Sequence, residues 1–149
     1  MAHAADFKLP LLAGYEIGVA STKAFTAQLL VLALVAIDAS KKLGTMDKET
    51  FGKLNFDLST LSDTVAKTLE LNDEVKRIAE MIMDSNSIIY VGRGTSAALA
   101  NEGALKMKEL SYIHAEGMPA GELKHGSIAL IDPKMPVIAT APTDHLFGK

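Results

Sequence analysis

Glu102, Lys106 and Glu109 stand at i, i+4 and i+7, a spacing that puts all three side chains on one face of a helix. A carboxylate with an ammonium beside it suits proton transfer in a sugar site, because the neighbouring cation favours the ionised form that a base requires. An ordinary solvated Glu–Lys pair has the same spacing and is the commoner occurrence. His125 follows Gly121-Glu122-Leu123-Lys124 and precedes Gly126. An imidazole among small and charged residues is an acid–base candidate near neutral pH. A hydrogen-bonded structural histidine fits the same surroundings.

Val91-Gly92-Arg93-Gly94-Thr95-Ser96 sets glycines and hydroxyls between an apolar run and a helical pattern. Free backbone N–H groups at such a junction can hold a phosphate. The third glycine of a dinucleotide fingerprint and the lysine of a P-loop are both missing, and a plain helix cap explains the residues equally well. The chain has no cysteine, which removes disulfides, thiol nucleophiles and Cys-based metal sites. His3, His114 and His145 have no clustered partners and no HExxH spacing occurs, so neither a metal nor another cofactor is expected.

These residues need elements to position them. Ser87-Ile88-Ile89-Tyr90-Val91-Gly92 and Pro136-Val137-Ile138-Ala139-Thr140-Ala141 read as short buried strands. Ala97 to Leu110 reads as the helix that carries the charged trio, and Ser111 to Gly126 as a mixed polar stretch. The strands around Ile89 and Ile138 are expected as parallel neighbours, or nearly so. Upstream, Lys8 to Leu12 fits the end of a strand. Ser21-Thr22 offers an N-cap to a helix reaching Lys42, with Gly44 as its C′ residue. That helix is apolar nearly all round from Leu29 to Ile37, so burial on several sides is expected. Phe51, Leu54, Leu58, Leu61 and Val65 form one amphipathic stripe, and Asn72-Asp73 starts a further helix. Two visible strands are too few for an ordinary sheet; either the chain is a piece of a larger domain or another chain completes its sheet.

With 149 residues, 48% apolar and 22% charged, the chain has an ordinary globular composition. A net charge of −3, without a basic run and with 5% aromatic residues, argues against a nucleic-acid partner. The first residues lack a basic start and an apolar core, so no signal peptide is read there. The apolar run Leu29–Ile37 is about half of the ~20 residues that span a bilayer. A buried helix, no membrane partner and a cytoplasmic location are expected.

Three stretches carry a specific resemblance. They are Glu16-Ile17-Gly18-Val19-Ala20-Ser21-Thr22-Lys23-Ala24-Phe25-Thr26, Glu102 to Glu116 (EGALKMKELSYIHAE) and Ala120-Gly121-Glu122-Leu123-Lys124-His125-Gly126. In this order they resemble the isomerase half of the glucosamine-6-phosphate synthase (glutamine–fructose-6-phosphate aminotransferase) family. The resemblance implies an α/β fold built of flavodoxin-like sugar-isomerase (SIS) domains, three-layered with a parallel sheet, here incomplete and helix-rich. Residues 1–44 would end a first SIS domain, 45–71 would be a linker helix, and 72–149 would begin a second.

The family makes glucosamine 6-phosphate from fructose 6-phosphate and glutamine-derived ammonia. By resemblance Glu109 is the base that moves a proton between C1 and C2, and Lys106 stands beside it. His125 matches the histidine that opens the sugar ring from a neighbouring subunit, and Val19 and Ser21 match residues lining the sugar site. A homo-oligomer is expected. The glutaminase domain, the phosphate loops and the Schiff-base lysine of the family lack counterparts, so this stretch alone is expected to be inactive. A phosphosugar-sensing SIS module without turnover is the alternative; a helical interaction module built on the Phe51–Val65 stripe is the third.

Overall fold

A computed structural model describes residues 4–148; His3 lies outside them. The chain divides into two compact units, one up to Asp73 and one from Glu74. The helices are α1 (Lys23–Lys42), α2 (Lys48–Ser59), α3 (Leu61–Leu69), α4 (Asn72–Ile82) and α5 (Thr95–Ser111), and the strands are β1 (Ser87–Gly92), β2 (His114–Pro119) and β3 (Val137–Thr140). Two short 3-10 helices, Ala120–His125 and Ser127–Leu130, lie between β2 and β3.

In the second unit the strands form a parallel sheet in the order β2-β1-β3. β1 and β3 are direct neighbours, with Ile89 opposite Val137 and Tyr90 opposite Ile138, as expected. The order is that of a flavodoxin-like sheet, whose second strand lies outside the first. β1 is central and covered on both faces, which is why it reads as a continuous apolar run. On one face Ile88 packs with Ala104 and Ala115, flanked by Tyr90, Met107 and Ile138. On the other, Ile89 and Val91 pack with Met118, Leu123 and Val137. Ile88 and Ile89 are wholly buried.

β2 is the element that the sequence reading missed. His114-Ala115-Glu116-Gly117-Met118-Pro119 buries only Ala115 and Met118, so its pattern is that of a polar loop. Its start is tied to β1 by a 2.8 Å hydrogen bond between Ser87 Oγ and His114 Nδ1.

The helix α5 lies unusually close to this sheet. A Cβ placed on Gly117 would come within 2.5 Å of the Asn101 Cα, and one on Gly92 would overlap the backbone of Ser96. Ala100 and Ala104, both buried, keep the helix's sheet-facing side short. The backbone-to-backbone approach therefore depends on small residues from both partners.

The first unit departs from expectation in three ways. Lys8–Leu12 forms no strand. The stripe from Phe51 to Val65 is split between α2 and α3 at Thr60, whose hydroxyl bonds back to the Phe56 and Asp57 carbonyls. Such back-bonding competes with the helix ladder and bends it. Most notably, α1 buries no residue, and Leu32 stays 65% exposed. The helix is apolar nearly all round from Leu29 to Ile37, but among the described residues only one flank, around Ala27 and Leu30, meets a partner: a groove of about 490 Å³ shared with Leu58, Leu61 and Val65 of α2 and α3. By length and composition alone α1 could cross a membrane.

The helix ends follow the expected local rules. Gly44, at φ +68°, takes the left-handed position after α1. Its N–H donates to the Lys41 carbonyl, and the Thr45 N–H donates to the Ser40 carbonyl. These two bonds define a Schellman closure. Asp47 caps α2 by accepting from the Thr50 N–H at 2.8 Å. Those bonds hold the Asp47 carboxyl below its ordinary value.

The close approach of α5 predicts that Gly117→Ala and Gly92→Ala each lower stability by about 1–3 kcal/mol, the usual range for overpacking. Gly121, with open space around its Cα, serves as the comparison: Gly121→Ala should stay within about 0.5 kcal/mol of the parent. Urea denaturation of the three variants checks the ranking.

Candidate functional site

The outward side of α5 is the reverse of its packed side. With Ala100 and Ala104 turned to the sheet, Glu102, Lys106 and Glu109 share another face. The structure brings all three together. Lys106 Nζ lies 2.7 Å from Glu109 Oε2 and 3.4 Å from Glu102 Oε1. The Lys106 side chain is only 22% exposed, which limits how far it can swing away. The trio thus places one ammonium between two carboxylates, with the shorter and stronger contact to Glu109.

That arrangement raises the Lys106 pKa above its ordinary 10.5, first through the hydrogen bond to Glu109 and then through that to Glu102, against the opposing effect of desolvation. Because the folded value is the higher one, the tie stabilises fully below the unfolded pKa and is lost as pH rises through the folded one. Lys106 is therefore a fixed cation across the neutral range.

His125 ends the 3-10 helix Ala120–His125, followed by Gly126 at φ +144°. Its side chain is exposed, and among the described residues it shares no hydrogen bond or ion pair with the trio. In the first unit, Val19 and Ser21 sit in the irregular loop before α1. Val19 is 100% exposed and Ser21 is half-buried. Glu16 opens this loop and closes on its far end: Oε1 accepts from the Thr22 N–H at 2.7 Å and from the Thr22 hydroxyl at 3.1 Å. The backbone bond from Thr22 is the chief cause holding the Glu16 carboxyl below its ordinary value. The sequence reading expected Ser21 or Thr22 to cap α1 by side chain. Thr22 occupies the N-cap position without a side-chain cap bond, and Glu16 supplies the acceptor. An acid six residues ahead of a helix start gives no short-range cap signal, so its part was missed.

In the loop after β1, two backbone donors have partners within the turn. The Ser96 N–H donates to the Arg93 carbonyl at 2.9 Å, and the Ala97 N–H to the Gly94 carbonyl at 3.1 Å. These two donors are used within the turn, and Ser96 is buried, so neither is free to hold a phosphate. Beyond the carboxyl ends of β1 and β3, Gly92, Arg93, Thr140, Pro142, Leu146 and Phe147 line a mainly apolar pocket of about 120 Å³. It lies where the strand order reverses, the usual ligand position in open α/β sheets. Among the described residues no cluster of His, Asp and Glu fit to hold a metal occurs.

The fold and these motifs define a class first. Residues 81–148 match the family model of the SIS domain, and the parallel α/β sheet is that of such a domain. The match then extends to a particular enzyme. The chain is 50% identical over 149 residues to the glutamine–fructose-6-phosphate aminotransferase [isomerizing] of Bartonella quintana, covering 100% of this chain and 24% of that protein. It is 52% identical to its counterpart in Bradyrhizobium diazoefficiens, with the same coverage. The solved C-terminal domain of glucosamine-fructose-6-phosphate aminotransferase from Francisella tularensis superposes with a TM-score of 0.89 at 44% identity, over 92% of this chain and 38% of that one. Over its whole length the chain is similar to the SIS region of the glutamine–fructose-6-phosphate aminotransferases, and it spans about a quarter of the length of the curated relatives it matches.

The trio makes a titration prediction. Followed by the ¹³Cε shift of Lys106, the ammonium should titrate above the ordinary lysine value. Glu109→Gln should lower the midpoint, and Glu102→Gln should lower it by less, in the order of their contacts. A larger effect from Glu102→Gln would show that the 3.4 Å contact, not the 2.7 Å one, dominates.

Proposed function

We propose that this chain acts, within an intact glutamine–fructose-6-phosphate aminotransferase, as part of the isomerase that converts fructose 6-phosphate and glutamine-derived ammonia to glucosamine 6-phosphate. The observation that carries the reading is the ion-paired trio on the outward face of α5, with Lys106 Nζ 2.7 Å from Glu109 Oε2. A carboxylate fixed by a cation, on a helix whose height is set by the sheet, is the kind of pre-oriented base that proton transfer between adjacent carbons requires. Glu109 takes the proton from C1 and returns it at C2. Lys106 orients the carboxylate and counters the negative charge that builds on the sugar oxygens. His125, exposed and apart from the trio's hydrogen bonds, opens the sugar ring across a subunit boundary. Val19 and Ser21 supply part of the sugar wall.

The domain boundaries proposed from the resemblance follow: residues 1–44 end a first SIS domain, 45–71 link, and 72–149 begin a second. The bare apolar sides of α1 then find their cover in the rest of a homo-oligomeric, cytoplasmic enzyme, and crossing a membrane is not needed to satisfy them. A phosphosugar sensor without turnover needs neither a base nor a ring-opening histidine, and for that reason the enzymatic reading is preferred.

The test is made in an intact aminotransferase carrying this chain. Glu109→Gln keeps size and removes basicity, so isomerisation should fall by roughly 10²–10⁴-fold while sugar binding changes little. His125→Ala should slow turnover of the cyclic sugar more than that of an open-chain analogue. The isolated chain, without a phosphate anchor or Schiff-base lysine, should give no glucose 6-phosphate above the blank. Normal isomerisation by Glu109→Gln would place the base elsewhere.

A further inference from the structure

The loop from Tyr15 to Thr22 has almost no packing to hold it. Tyr15, Ile17 and Val19 are at least 95% exposed, and Ala20 is its one buried residue. A segment with so few buried contacts would ordinarily sample many conformations. Two charged side chains oppose that freedom. Glu16 Oε1 accepts from both the N–H and the hydroxyl of Thr22, closing a ring that contains Val19 and Ser21. One residue further on, Lys23 Nζ donates to the Tyr15 carbonyl at 2.5 Å, so the same two ends are joined a second time with the opposite polarity. Bonds with one ionised partner are the stronger kind. The Glu16 acceptor also faces the start of α1, where a negative charge is favoured by the helix dipole.

Ser21 adjoins the residue that Glu16 grips, and Val19 lies in the middle of the closed ring. Any lengthening of the Glu16–Thr22 contact is passed directly to both. We propose that Glu16 is a positioning residue for the sugar wall: it holds Val19 and Ser21 in place through Thr22, without itself touching the sugar. This rests on the reading that Val19 and Ser21 line the sugar site. The chemistry it demands of Glu16 is acceptance of two hydrogen bonds at full side-chain reach, not a negative charge presented to the substrate.

The experiment compares Glu16→Ala, Glu16→Gln and Ser21→Ala in an intact aminotransferase carrying this chain. Two readouts are needed: steady-state kinetics with fructose 6-phosphate, and hydrogen–deuterium exchange of the peptide covering residues 15–24. Glu16→Ala should raise KM about tenfold, the loss expected of one charge-assisted bond. kcat should stay within about threefold, because ground-state and transition-state binding are weakened together. Exchange in the 15–24 peptide should quicken while that of β1 is unchanged, which also shows that the variant is folded. Glu16→Gln retains an acceptor oxygen at the same reach and should restore KM to within about threefold of the parent. If Glu16→Gln raises KM as much as Glu16→Ala while exchange in the 15–24 peptide stays at the parent's rate, the charge itself acts on the sugar and the positioning role is overturned. If Glu16→Ala leaves both exchange and KM unchanged while Ser21→Ala raises KM, the clamp is overturned and the sugar wall stands. If Ser21→Ala leaves KM unchanged and Glu16→Ala alters exchange alone, the loop is clamped but is not a sugar wall, and the proposal fails with the reading beneath it.

Discussion

The second unit depends on how closely α5 can approach the sheet. Gly117 and Gly92 carry no Cβ where the helix backbone passes, and Ala100 and Ala104 present the shortest side chains that still bury apolar surface. Interiors pack too densely to take added methyl groups there without a shift. Because the inward side is fixed at this short range, the outward side is fixed as well. Glu102, Lys106 and Glu109 gain their shared direction from a helix that cannot rise or roll. The ion pairs finish the arrangement but do not create it: partly exposed pairs add little order on their own.

The first unit works on another principle. Its helices end in well-formed closures, the Gly44 turn after α1 and the Asp47 cap before α2, yet none of α1, α2 or α3 buries a residue. Local hydrogen bonds specify where each helix begins and stops; they do not supply the apolar burial that stabilises helices in proteins. The bare sides of α1 and the charged ties of the Tyr15–Thr22 loop are two consequences of the same shortage. Where packing is thin, Glu16 and Lys23 have to do the ordering.

What was legible in the sequence follows from these physics. β1 and β3 stood out because central parallel strands are apolar throughout. The α5 trio was visible because helical spacing is regular. Gly44 announced the end of α1 because few other residues accept that backbone angle. β2 was hidden by the same glycine that lets α5 come close: Gly117, with Glu116 and Pro119, dilutes the strand signal. Burial of α1 was expected from its composition alone, whereas burial also requires neighbours that this stretch does not contain. The break at Thr60 was masked by an unbroken apolar stripe, since periodicity does not register a hydroxyl turning back on the backbone. The trio and His125 could be picked from spacing and residue type, but their roles came only through resemblance. Glu16 escaped because its partner lies six residues on, beyond the reach of ordinary capping patterns.

Under the proposed function, the face of α5 presents Glu109, and not its neighbours, to the reacting carbons of a sugar phosphate. A 1,2-epoxide analogue of the hexose 6-phosphate tests it directly. The carboxylate standing at C1 and C2 opens the epoxide and keeps the sugar as an ester, while carboxylates elsewhere do not react in a substrate-protected manner. After incubation with an intact aminotransferase carrying this chain, peptide mass spectrometry should find one label, on Glu109, and excess fructose 6-phosphate should prevent it. A protected label on Glu102, or outside α5 on Glu122 or any other carboxylate, would contradict the account.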